Sequence, residues 1–157
     1  MRNSVRGVLL TPEGKILMMK FREPVSKNEF WATPGGGVKT EESFESALLR
    51  ELKEETDKGN FPIGPKIWVR EFSYTWGNRP VTQREHFYLI ESNEFVPKML
   101  HNPSSGEAKA FQEFRWWFPW EIKDSNEHFG PDGIADLVAS LSREGIPETP
   151  MDLGKSG

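Results

Sequence analysis

Between Gly35 and Lys58 the chain reads GGGVKTEESFESALLRELKEETDK, a stretch that narrows the possible folds more than any other. Three successive glycines allow close backbone approach, because glycine lacks a Cβ and adopts dihedrals closed to other residues. Ser43 is a good N-cap, with Thr40 the weaker candidate, for a helix running to about Thr56. On that helix Phe44, Leu48 and Leu52 form an apolar stripe suited to anchoring it on a sheet. Beside the stripe, Glu51, Glu54 and Glu55 stand at i, i+3 and i+4, so three carboxylates share one face. Unneutralised, each neighbouring pair costs about 0.2–0.5 kcal/mol even on an exposed helix. Ala47, one turn earlier, leaves that face open. An oxygen-only cluster suits a hard cation, Mg2+ with Mn2+ as a substitute, rather than zinc. The competing reading is a solvated helix face, since clustered Glu and Lys are ordinary surface residues.

The rest of the chain limits the function classes. Its 157 residues suit one domain, expected over residues 1–145, with 146–157 as a loosely ordered C-terminal tail. With no cysteine, thiolate metal sites, disulfides and cysteine nucleophiles are excluded, and a cytoplasmic location is expected. No apolar run is long enough to span a bilayer, and Val5–Leu10 is too short for a secretory h-region. A formal net charge of −4 argues against a nucleic-acid polymer as partner. It leaves room for a small nucleotide-type substrate whose charge is met by a bound cation. Whether the chain is a monomer or a homodimer is left open.

Strands are expected at Val5–Leu10 and Lys15–Phe21 around the turn Thr11–Gly14, and at Phe30–Thr33 before Pro34. Ile67–Trp76 and Thr82–Glu91 read as a hairpin pair, Asn93–Gln112 as a long polar connection and Glu113–Phe118 as a further strand. Ile134, Leu137, Val138 and Leu141 have helical spacing, which places a last helix at about Asp132–Arg143 and ends it by Gly145. Strands mixed with two helices predict an α/β fold, a mixed sheet between helices.

From Gly36 onward the pattern is G-x5-E-x7-R-E-L-x-E-E, with Glu42, Arg50, Glu51, Glu54 and Glu55 in place. This resembles the Nudix box, G-x5-E-x7-R-E-U-x-E-E-x-G-U with U aliphatic. Chance would produce it in roughly one chain in 10^5 of this length. The flanks Phe30-Trp31 and Glu113–Trp117 are similar to the family as well. The resemblance implies a Nudix-like α/β/α sandwich and a hydrolase that cleaves the diphosphate linkage of a nucleoside-diphosphate derivative. It implies that Glu54 and Glu55 are the principal metal ligands. Glu51 is then a third ligand or a carboxylate that positions the others, and the Gly35 carbonyl is a backbone ligand. Arg50, paired with Glu42, is implied to orient the glutamates as structural support. One position departs from the pattern: Asp57 replaces the final glycine, which normally caps the helix in a left-handed conformation, and Lys58 replaces the aliphatic residue after it.

In this family a base or extra ligand often comes from outside the box. Glu113 is the first choice for a catalytic base and Glu107 the second. Trp68, Arg70, Phe72, Tyr74 and Trp76 alternate along one strand face. Trp76 could stack on a base while Arg70 or Arg79 meets phosphate; the same face could instead be core or a dimer contact. His86 reads as a packed or partly exposed strand residue, not as a catalyst. Candidate substrates include nucleoside triphosphates, nucleoside-diphosphate sugars and dinucleoside polyphosphates. A prenyl-diphosphate isomerase of related fold is disfavoured, since that family uses an active-site cysteine. A non-catalytic sensor that binds nucleotide or protein is the alternative, although such proteins usually lack some of the box glutamates.

Overall fold

The structure is a computed structural model that describes residues 1–99 and 110–156. The strands are β1 (Arg2–Leu10), β2 (Ile16–Arg22), β3 (Glu29–Ala32), β4 (Gly35–Gly37), β5 (Lys66–Trp76), β6 (Arg79–Glu91), β7 (Phe111–Trp117) and β8 (Met151–Ser156). The helices described are α1 (Phe44–Thr56), α2 (Pro119–Asp124) and α3 (Ile134–Glu144). None of them is long and apolar enough to cross a membrane.

The strands form one eight-stranded sheet in the order β3-β2-β1-β6-β5-β8, with β4 added beside β1 and β7 beside β2. It is mixed: β1 runs parallel to β6 and β5 parallel to β8, while the remaining pairs are antiparallel. Strand alternation sends side chains to two faces. Val5, Leu9, Leu17, Tyr88 and Ile90 meet Ala47, Leu48 and Leu52 of α1 on one face. Val8, Ile16, Met18, Trp68, Phe87 and Trp117 meet Ile122 of α2 and Ile134 and Val138 of α3 on the other. The sandwich expected from the sequence is therefore present.

Local signals explain α1. Ser43 is extended, and its hydroxyl accepts the Ser46 N–H at 3.1 Å. At the other end Asp57 is left-handed, with φ 60° and ψ 22°, and its N–H reaches the Lys53 carbonyl at 3.0 Å. The family's glycine position thus keeps its conformation with aspartate in it, and Asp57 also forms an exposed ion pair with Lys53 at 3.3 Å.

Other segments differ from the expectation. The expected loose tail supplies β8, which lies along β5, and Leu153 packs against the main core. Two apolar residues, Met151 and Leu153, among Asp, Gly, Lys and Ser are too short a pattern to mark a strand; the segment pairs along the edge of β5. The glycine run is itself a strand, β4, and Pro119–Asp124 forms a short helix that no periodicity announced.

His86 is packed as expected. Its ring lies 4.5 Å from that of Phe44, and its nitrogens contact Asn3 Oδ1 and Lys66 Nζ, each at 3.1 Å. Burial, reinforced by the charges of Lys66 and Arg84, lowers its pKa from 6.5 to about 4. A depressed histidine stabilises the fold above its unfolded value and loses that contribution as pH falls. Urea midpoints should therefore drop between about pH 6.5 and 4 in the parent, and His86→Gln should flatten that interval; an unchanged pH profile in the variant would contradict this. Asp57→Gly should be neutral or stabilising by up to about 1 kcal/mol, because relief of left-handed strain exceeds the few tenths lost with an exposed pair. Clear destabilisation in a melting measurement would show that Asp57 makes a contact beyond its pairing with Lys53.

Candidate active site

The face of α1 that carries the carboxylates meets β4. Glu55, 7% exposed, accepts the Gly35 N–H at 2.9 Å. Glu51 packs on Gly36 so closely that a Cβ there would fall 2.4 Å from its carboxyl carbon. Gly35 has φ 151°, and a Cβ on it would lie 1.9 Å from the Val5 carbonyl oxygen of β1. At Gly35 only glycine fits, because a Cβ would strike backbone; at Gly36 a side chain would displace the Glu51 carboxylate. Because β4 pairs with β1 at Val5↔Gly36 and Arg6↔Gly35, the sheet fixes the backbone on which the two glutamates converge.

Arg50 organises the same region. Its Nε and Nη2 donate to Glu42 at 2.8 and 2.9 Å, Nη2 to the Gly37 carbonyl at 3.0 Å and Nη1 to Glu51 at 2.8 Å. Glu54, half-exposed, lies 3.7 Å from the same guanidinium. Hydrogen bonds from Arg50 and the Lys39 N–H hold the Glu42 carboxyl at about 2, and Glu42 in turn raises the pKa of Arg50.

Among the described residues no three Asp, Glu or His side chains already form a closed metal cage. The reason is visible: Arg50 faces Glu51 and Glu54, while Glu55 is turned to the Gly35 N–H. The donor set nevertheless fits a hard divalent cation. Glu51, Glu54 and Glu55 with the Gly35 carbonyl offer only oxygen, and the bare glycine backbone lets an ion approach closely.

On the α3 side of the sheet a cavity of about 400 Å³ opens beside β4. Glu85, 2% exposed, bridges Arg6 at 2.9 Å and Arg70 at 2.5 Å. Arg6 also donates to the Thr33 carbonyl at 3.1 Å and reaches the Gly35 carbonyl at 3.5 Å. One ion-pair network thus links the cavity wall to the backbone that faces the box glutamates. Arg70 stacks 4.1 Å above Phe72, which in turn stacks on Tyr74 at 5.0 Å; Trp76 meets Phe30 edge-on at 6.4 Å. Glu23 accepts the N–H groups of Gly77, Val25 and Ser26, which ties the β5–β6 turn to the loop after β2. Those bonds, Gly77's first, bring its pKa to about 2.

The residues singled out from sequence therefore divide. Glu42, Arg50, Glu51, Glu54, Glu55 and Gly35 come together, and Arg70 and Trp76 line the cavity. Arg79 is exposed at the tip of the β5–β6 hairpin and does not line it. Glu113 is exposed on β7 in register with Lys20, while its neighbour Phe114 packs on the α1 side. Alternation turns Glu113 to the opposite face from α1, so the structure does not bring it to the carboxylate cluster. Glu107 lies outside the described residues. The sequence reading missed Arg2, Arg6, Gln83 and Glu85, all lining the cavity. Their one signal is polar residues at alternate positions on strands that are otherwise apolar.

The chain is similar to several known proteins. The chain is 30% identical over 131 residues to the RNA pyrophosphohydrolase of Teredinibacter turnerae, which spans 75% of this chain and 73% of that protein. It is 25% identical over 131 residues to the RNA pyrophosphohydrolase of Hahella chejuensis, covering 75% and 78% of the two. In fold it matches the solution structure of the E. coli ORF135 protein with TM-score 0.65 at 22% identity, over 95% of both chains. It also matches a C. elegans Ap4A hydrolase in a binary complex, with TM-score 0.63 at 17% identity over 92% and 97%. The family model of the NUDIX domain matches residues 1–137, and the chain belongs to the Nudix family.

Proposed function

We propose that the chain is a metal-dependent pyrophosphohydrolase that cleaves the diphosphate linkage of a nucleoside-diphosphate derivative. The observation that carries this reading is the convergence of Glu51 and Glu55 on the glycine backbone of β4, next to an arginine-lined aromatic cavity. The names of the two pyrophosphohydrolase relatives support the same reaction. Glu51, Glu54 and Glu55, with the Gly35 carbonyl, would hold Mg2+, with Mn2+ as a substitute. Bound there, the ion supplies charge neutralisation for the diphosphate and acidifies a water.

The chain's own groups do the rest. Arg50, anchored by Glu42 and the Gly37 carbonyl, holds Glu51 in place and keeps the carboxylates from repelling one another. Arg2 and Arg6 line the part of the cavity wall built by β1, the strand that pairs with β4, where guanidinium groups suit phosphate oxygens. Phe30, Phe72 and Trp76 supply ring faces for a planar base, and Arg70 braces Phe72. A cavity of about 400 Å³ suits a single nucleotide. A second reading, hydrolysis of a diphosphate linkage carried by RNA, is favoured by the relatives' names, and a screen that includes a triphosphorylated oligonucleotide beside free nucleotides separates the two.

Glu55→Gln tests the reading. Removing one ligand charge should lower turnover by about 10^2- to 10^3-fold. Added Mg2+ should raise the melting temperature of the parent more than that of the variant, because a ligand stabilises the state that binds it. Parental turnover in Glu55→Gln would overturn the catalytic role of α1. Glu113→Gln should keep turnover within about 3-fold of the parent, since the residue faces away from α1; a loss near 10^2-fold would restore it as the base.

A further inference from the structure

Among the residues that line the cavity is a polar side chain with no hydrogen-bond partner among the described residues. Gln83 is 2% exposed and lines the cavity, and its amide forms no hydrogen bond among the described residues. The rest of the residue is buried, so the polar end that stays open to the cavity is presented to whatever fills it. The register puts it between two other lining residues: Arg2 of β1 stands opposite it on one side and Phe72 of β5 on the other. Gln83 thus has a guanidinium residue on one flank and an aromatic one on the other, in a cavity that Trp76 and Phe30 also line.

The chemistry of this arrangement is selective. The aromatic walls take a flat ring, and an amide presents one donor beside one acceptor, in either order, since it can flip. Its complement is the edge of a nucleobase that carries an adjacent donor and acceptor, as adenine does at its amine and ring nitrogen. The two-acceptor edge of guanine is the target of an arginine fork instead, and the cavity's Arg6 and Arg70 are already engaged by Glu85.

We propose that Gln83 is a specificity-determining residue, its unbonded amide reading the donor–acceptor edge of a nucleobase held in the aromatic cavity. This rests on the nucleotide reading of the site above and adds what selects the base. A carboxylate at this position would accept from two donors, the pattern that guanine offers at N1–H and its exocyclic amine.

Binding of nucleoside 5′-monophosphates without metal, followed by the fluorescence of Trp31 and Trp76 in the cavity wall, tests the proposal apart from catalysis. AMP, CMP, GMP, UMP and ribose 5-phosphate are titrated against the parent, Gln83→Leu and Gln83→Glu. Gln83→Leu should weaken the tightest-binding mononucleotide by about 10-fold or more and leave ribose 5-phosphate unchanged. Gln83→Glu should move the order of preference toward GMP. The proposal is overturned if the parent binds no mononucleotide, if Gln83→Leu binds all four as the parent does, or if Gln83→Glu keeps the parental order. Should Gln83→Leu fail to fold by circular dichroism, Gln83→Met carries the same reading. Hydrolysis with Mg2+ is measured separately. A parent that binds in a Gln83-dependent way yet cleaves no diphosphate contradicts the catalytic reading alone. A parent that cleaves nucleotides with a base preference indifferent to Gln83 contradicts this one alone.

Discussion

Three glutamates on one helical face repel one another, and the surroundings of α1 answer that repulsion. Arg50 faces Glu51 and Glu54, and its fork is anchored on Glu42 and the Gly37 carbonyl. Glu55 is answered differently, by the N–H of Gly35, where a Cβ would collide with the Val5 carbonyl of β1. Pairing of β4 with β1 sets that donor in place, and the apolar stripe of α1 holds the helix over the same strands. Removing Arg50 would therefore disturb more than one ion pair: it would release Glu42, Glu51 and the β4 carbonyl together. The arrangement presents only oxygen donors to a cation.

Strand β1 connects this cluster to the cavity. Its Val5 and Leu9 pack under α1, while Arg6 on the opposite face pairs with Glu85 and touches the carbonyls of Thr33 and Gly35. Glu85, nearly fully buried, takes two guanidiniums, so the trio leaves a net positive charge in a wall of the cavity. A buried carboxylate with two partners is held tightly, because losing either would leave charge uncompensated in a poorly solvated place. A polyphosphate chain between cavity and cluster would meet arginines from one side and the proposed metal from the other.

What could be read from the sequence was local. Ser43, the spacing of Phe44, Leu48 and Leu52, and the strained position of Asp57 each depend on a few neighbouring residues, and the structure reproduces them. The site's partners across the sheet were not readable. Arg6 and Glu85 are 79 residues apart and become neighbours only through parallel pairing of β1 with β6. Glu113 illustrates the parity of strands: a shift of one residue moves a side chain to the other face, and the register with Lys20 turns it away from α1. Strand β8 was hidden for another reason, since the edge of β5, not its own composition, makes it a strand.

The central claim is that α1 and β4 together hold a divalent ion. Anomalous diffraction at the manganese edge, from crystals soaked with Mn2+ and a non-hydrolysable nucleoside-diphosphate analogue, tests it most directly. The account predicts a peak within about 2–2.5 Å of carboxylate oxygens of Glu51 and Glu55 and of the Gly35 carbonyl oxygen, with Arg50 still bound to Glu42. A well-ordered analogue with no peak at that position, or with manganese held by other residues, would contradict it.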